Sequence, residues 1–162
     1  LDTRILLIRN ENKGGKRMTN ANHAFIKLVP ASLKQTITTE ELKELFHYYK
    51  EITGKTGKQL NWDYDQYAFP YEMIETGEGQ GRWFYLKSDI DRYNVIIIAV
   101  SKEKIKQQDE ERIQSYIQIT LTSDSTHGDK AKANEFCKFL SKQLQGELHL
   151  FNHRVMYYYK RR

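Results

Sequence analysis

The sequence predicts an α+β domain in which a largely antiparallel sheet of about five to six strands packs with two helices as a single unit. Three observations predict it. Two segments carry helix-start signals followed by apolar residues at helical spacing. Short alternating or doubly apolar runs come in pairs joined by tight polar links, as strands in hairpins do. Strands gathered mostly in hairpins, with few helices between them, favour an antiparallel sheet over a parallel one. The chain shows no internal repeat and no low-complexity tract.

The first element is a strand over residues 24–29, where Phe25, Lys27 and Val29 alternate with Ala24, Ile26 and Leu28 before Pro30 ends it. Thr38-Thr39-Glu40-Glu41 then reads as a capping box. The Thr38 hydroxyl can accept from the Glu41 amide while the Glu41 carboxylate reaches back, and Ile37 and Leu42 sit at the two staple positions. Leu42, Leu45, Phe46, Tyr49 and Ile52 recur at helical spacing, and Gly54 stands where a left-handed C-terminal cap belongs. A helix over residues 39–53 follows.

Residues 54–74 are aromatic and acidic, with room for one short strand, and Gly77, Gly79 and Gly81 make a flexible turn. Residues 82–87 and 94–100 read as two strands joined by a polar link. Val95-Ile96-Ile97-Ile98-Ala99-Val100 is apolar on both faces, which predicts a central position with cover on each side. Residues 101–112 are nearly all charge and amide and read as a solvated loop or frayed helical turn. Residues 113–121 alternate again as a strand. Thr126-His127-Gly128-Asp129 repeats the cap-like spacing, and Ala133, Phe136, Cys137, Leu140 and Leu144 form the stripe of a second helix that Gly146 ends. Residues 147–151 and 154–158 close the chain as two short strands across a turn at Asn152-His153.

Residues 1–17 stand apart. Lys13-Gly14-Gly15 can be encoded by the purine tract that bacterial ribosomes pair with, and Met18 follows at a spacing that suits initiation. The expectation is therefore a translated upstream extension at residues 1–17 and a folded domain at 18–162. The extension holds Arg4, Arg9, Lys13, Lys16 and Arg17 against Asp2 and Glu11, which leaves the domain only +2 of the chain's net +5. A near-neutral domain is a poor phosphate-backbone binder, so no nucleic-acid partner is expected. The longest apolar run is far too short to span a bilayer, so no membrane partner is expected either. A single cysteine excludes an intrachain disulfide and paired-cysteine metal sites, and it suits a reducing cytoplasm. A domain of this length buries roughly 70% of its unfolded surface, enough for a core of its own.

The candidate sites are four. Asp63 and Asp65, with Glu72, Glu75 and Glu78 downstream, share a face in an extended segment and could hold a hard cation or act as an acid/base pair; scattered loop acids are more often solvated. Thr126, His127 and Gly128 open a helix, where free amides attract an anion; an ordinary capping box is the plainer account, and Asp129 would repel an anion. Cys137 could be a nucleophile with His127, His149 or His153 as base, but its place on the apolar stripe makes it a small, inert core residue. Aromatic surface is the strongest candidate. Trp62, Tyr64, Tyr67 and Tyr71 crowd one loop, and such rings give large contact area at little entropic cost. Tyr157-Tyr158-Tyr159 beside Lys160-Arg161-Arg162 is a second aromatic cluster that could stack bases, against the plainer reading of a solvated terminus. Gly77-Glu78-Gly79-Gln80-Gly81 lacks the Lys-Ser/Thr and the helix that a phosphate loop needs.

In Ala24–Thr38 (AFIKLVPASLKQTIT) and 133–152 (ANEFCKFLSKQLQGELHLFN), the chain resembles a small uncharacterised protein family of Bacillus-type bacteria, over about residues 18–160. The resemblance implies no activity and supplies no catalytic motif. The expectation is a non-enzymatic cytoplasmic module that binds a protein or peptide through Trp62, Tyr64, Tyr67 and Tyr71 and an adjoining sheet edge, with no cofactor, no metal and no catalytic residue. The alternative is a small-ligand binder or hydrolytic enzyme that uses Asp63/Asp65 with His127 or His149. An enzyme would need these groups to converge in a pocket that excludes water.

Overall fold

The computed structural model describes residues 22–60 and 68–160. The expected extension at residues 1–17 and the side chains of Trp62, Asp63, Tyr64, Asp65 and Tyr67 lie outside the described residues. Those residues form, in chain order, β1 (His23–Lys27), α1 (Thr39–Leu60), β2 (Glu72–Ile74), β3 (Trp83–Lys87), β4 (Val95–Gln107), β5 (Glu110–Thr120), α2 (His127–Leu144), β6 (Glu147–His149) and β7 (Val155–Tyr157). The strands make one sheet of seven in the order β2-β3-β4-β5-β1-β6-β7. Every neighbouring pair is antiparallel. The α+β architecture is as the sequence predicts, with one strand more than the upper estimate.

Both helices bury their apolar stripes against one face of the sheet. Ala24, Ile26 and Leu28, Phe84 and Leu86, Ile96 and Ile98, and Ile117 and Ile119 all point that way. They meet Leu42, Phe46 and Tyr49 of α1 and Ala133, Phe136, Cys137, Leu140 and Leu144 of α2 in one continuous core. The alternate residues of β3 and β4 form a smaller cluster on the other face, where Trp83, Ile97 and Ala99 pack with Tyr85. This explains why 95–100 is apolar throughout: β4 is an interior strand buried on both sides.

The capping box at the start of α1 forms as written. The Glu41 amide donates to Thr38 Oγ1 at 3.1 Å, and the Thr38 amide donates to Glu41 Oε1 at 3.0 Å. Ile37 and Leu42 are both buried, so the staple closes over it. The far end departs from expectation: α1 runs on to Leu60. Gly54 does not cap it, because among the described glycines only Gly81 has positive φ. A glycine inside a helix costs about 1 kcal/mol relative to alanine, which is not enough to stop a helix whose stripe is packed.

Residues 101–112 are neither loop nor helical turn. β4 continues to Gln107, turns at Gln108 and Asp109, and returns as β5 with unbroken register from Gln107↔Glu110 to Ile97↔Thr120. Both turn residues are left-handed, with φ of 54° and 68°. That is the signature of a two-residue hairpin turn, which usually advertises itself as Asn-Gly or Asp-Gly. Here neither residue is glycine, so the signal was absent. Helix α2 ends on a left-handed residue at Gln145 (φ 54°), and the Gly146 amide donates to the Ser141 carbonyl at 3.0 Å. Gly146 follows that cap and serves close packing, since a Cβ there would lie 2.8 Å from Ile26 Cγ2.

Candidate functional site

The aromatic segment enters the described structure at Ala68 and leads directly into β2, an outermost strand of the sheet. Its last rings are core residues. Phe69 and Tyr71 are each 5% exposed. Phe69 packs against Phe46, Tyr49 and Phe136 at centroid separations of 5.7, 6.2 and 5.5 Å. Tyr71 meets Phe136 edge-on at 6.0 Å and Tyr93 at 5.9 Å. The Tyr71 ring is therefore wedged between the helices and the sheet and offers no surface to a partner, which corrects the expectation for that residue. Burial pushes its hydroxyl pKa far above the ordinary tyrosine range, and the Asp129 carboxylate adds to the push. The segment is pinned at this end by Phe69 and by Tyr71, the residue immediately before β2.

Beside the edge, α1 and β2 border an open cleft of about 380 Å³. Lys43, His47 and Lys50 line it from the helix, and Tyr71 with the three residues of β2 from the other side. Lys43 bonds to Glu75 at 3.1 Å and to Glu40 at 3.3 Å. Burial alone would lower its pKa, but the two carboxylates outweigh that and hold it above the ordinary lysine range. The Lys50 ammonium sits 5.6 Å over the Phe69 ring, a cation–π contact. On the outer strand Met73 turns to the core, while Ile74 is 40% exposed.

The start of α2 has no space for an anion. Thr126 caps the helix, its hydroxyl accepting from the Asp129 amide at 3.0 Å and donating to the Arg92 carbonyl at 2.6 Å. The Asp129 carboxylate is fully buried and takes the amides of Thr126, Asn94 and Val95 at 2.9–3.1 Å and the Tyr71 hydroxyl at 2.6 Å. The chain supplies its own anion to this terminus. Gly128 fits against neighbouring backbone, since a Cβ there would lie 2.5 Å from the Arg92 carbonyl oxygen. His127 is exposed on the first turn. Thr126, His127 and Gly128, read as a candidate anion site, open the helix with a capping box that ties α2 to β4.

The residues named for hydrolysis do not converge. His149 stands opposite Phe25 in the sheet, on the face turned away from the helices, and binds Glu147 at 2.9 Å. His127 belongs to α2 on the other side, so one site can include only one of the two. Cys137 is fully buried in mid-helix, and burial drives its thiol pKa well above the ordinary value. Among the described residues no group of three or more His, Cys, Asp or Glu is placed to hold a metal ion. No helix there is long and apolar enough to cross a membrane.

Sequence reasoning did not find Asp129 as the residue that joins Tyr71, β4 and α2. Its capping role was legible locally, but its other donors lie 34 to 58 positions away.

Fold and site together define a single α+β domain: one antiparallel sheet, helices on one face, an aromatic segment feeding an outer strand. Residues 22–160 match the family described as Domain of unknown function (DUF1885), and the chain belongs to that family. A crystal structure of a protein of unknown function from Bacillus stearothermophilus is 40% identical. The likeness covers 77% of this chain and 91% of that one, with a TM-score of 0.46. No curated protein matches the chain.

Proposed function

We propose that this protein is a non-enzymatic protein- or peptide-binding module acting in the cytoplasm. Its contact surface is the aromatic segment with Trp62, Tyr64 and Tyr67, together with the edge of β2. One observation carries the reading: Phe69 and Tyr71 are locked in the core where the segment reaches an outer strand. Tyr67 stands five positions and Trp62 ten positions before the first residue of that outer strand, and pre-anchoring a segment lowers the entropic cost of binding. Tyrosine and tryptophan bring contact area, and the strand edge brings main-chain hydrogen bonds. The cytoplasmic setting rests on a sole cysteine, Cys137, that is buried as a free thiol.

The test compares the full chain with a Trp62→Ala, Tyr64→Ala variant in affinity capture from a Bacillus lysate. The variant should lose the captured partner while melting at the same temperature. Recovery of the same proteins in equal yield by both would overturn the assignment.

A further inference from the structure

The β4–β5 hairpin is longer than the sheet that carries it. β3 pairs with β4 only as far as Trp83↔Ala99, and one more bond joins the Val100 amide to the Arg82 carbonyl at 2.9 Å. Before Arg82 the chain leaves the sheet, because Gly81 is left-handed (φ 78°) and Gly79 folds against the Trp83 indole. Beyond Val100, no described strand lies on that side of β4. Backbone groups alternate along a strand, so the Val100 amide fixes the phase. The amides and carbonyls of Lys102, Lys104 and Lys106 point to the open side, while those of Glu103 and Ile105 face β5.

Side chains alternate as well, and all three lysines fall on one face of the hairpin, exposed to solvent. Their cross-strand neighbours are Ser115, Ile113 and Glu111, and Ile113 is 61% exposed. Glu111 is the one carboxylate in that row. Glu103 lies on the opposite face, held by Lys27 at 3.4 Å and by Gln114 at 3.1 Å. A groove of about 550 Å³ begins at the root of this edge, with Arg82 and Lys102 in its lining and no carboxylate among the described residues there.

We infer that the open edge of β4 is a docking site for an extended acidic segment of a partner protein, separate from the aromatic surface. The added strand would pair with the backbone of Lys102, Lys104 and Lys106. Residues opposite one another in such a pair share a face, so carboxylates at every second position of the partner would each meet a lysine. The site reads an alternating Asp/Glu pattern, and acidic content alone does not satisfy it. Edge lysines also keep bare strands from pairing with copies of themselves, and this row does so by selecting the opposite charge.

The probe is the capped peptide Thr-Glu-Val-Glu-Val-Glu-Thr, set against its permutation Thr-Val-Val-Glu-Glu-Glu-Thr and measured by fluorescence anisotropy and amide exchange on the full chain. The alternating peptide should bind at least tenfold tighter. It should slow exchange at Lys102, Lys104 and Lys106 and leave Glu103 and Ile105 unchanged, and its affinity should fall with added salt. A Lys102→Glu, Lys104→Glu, Lys106→Glu variant should reject it and accept the lysine counterpart. Equal binding of the two acidic peptides, or protection elsewhere, overturns the inference. Should the triple variant fail to fold, the exchange pattern on the unaltered protein decides. The Trp62→Ala, Tyr64→Ala variant should bind the peptide normally; loss of binding there would place the peptide on the aromatic segment and also overturn it.

Discussion

Removing the Asp129 carboxylate would strand four donors at once: the buried Val95 amide and Tyr71 hydroxyl, and the part-buried amides of Thr126 and Asn94. An orphaned buried donor costs about 1–3 kcal/mol, so Asp129→Ala should destabilise the protein by roughly 3 kcal/mol or more in urea unfolding. Tyr71→Phe removes one donor and keeps the ring, so its cost should be only about 1 kcal/mol. The two losses should be less than additive, because both remove the same bond. Tyr71 also sets an alkaline limit. Its pKa is raised by folding, so the protonated form is favoured in the native state. That contribution is complete below about pH 10, the ordinary tyrosine value, and is lost as pH rises beyond it. The urea midpoint should therefore fall as pH rises past about 10, and Tyr71→Phe should flatten the fall; an equally steep decline in the variant would exclude Tyr71 as its source. Thr126 and Asp129 were legible in the sequence as a capping box because their bond is local. Tyr71 read as surface because nothing within ten residues of it reveals Asp129.

The elements show the same division between local and distant signals. The start of α1 was legible to the residue, since Thr38, Glu41, Ile37 and Leu42 act within one turn. Its end was not, because Gly54 carries a cap's identity without a cap's backbone angle. The hairpin was the largest element missed. A solvated ribbon shows no burial alternation, and Gln108-Asp109 has no glycine. Each left-handed non-glycine residue costs about 1 kcal/mol. Replacing Gln108-Asp109 with Asn-Gly should therefore stabilise the protein by about 1–2 kcal/mol, read as a rise in thermal midpoint; a drop would exclude a two-residue turn there. Gly128→Ala should act in the opposite direction. Its Cβ would meet the Arg92 carbonyl at 2.5 Å and force α2 off β4, for about 1–3 kcal/mol.

At the scale of the whole molecule, sheet order depends on pairings far apart in sequence, which no local pattern encodes. The hairpins β3–β4 and β6–β7 could be anticipated from their tight links in sequence. The position of β1 could not. Phe25 lies opposite Gln118 on one side and His149 on the other, and neither pairing leaves a trace in residues 23–27 beyond their apolar alternation. The site followed the same rule: that an aromatic segment adjoins a sheet edge was readable, but which of its rings are core plugs emerged only from the packing.

That placement of β1 has a consequence for biosynthesis. Of the described strands it leaves the ribosome earliest, yet it has no partner until β5 emerges, and its second side stays open until β6 is made near the C-terminus. Without β1 the sheet falls into a four-stranded meander and a separate two-stranded hairpin. Folding thus cannot proceed vectorially from the front of the chain. A nascent chain stalled before residue 147 should leave one side of β1 bare and be cleaved readily by protease, while the released full-length chain resists.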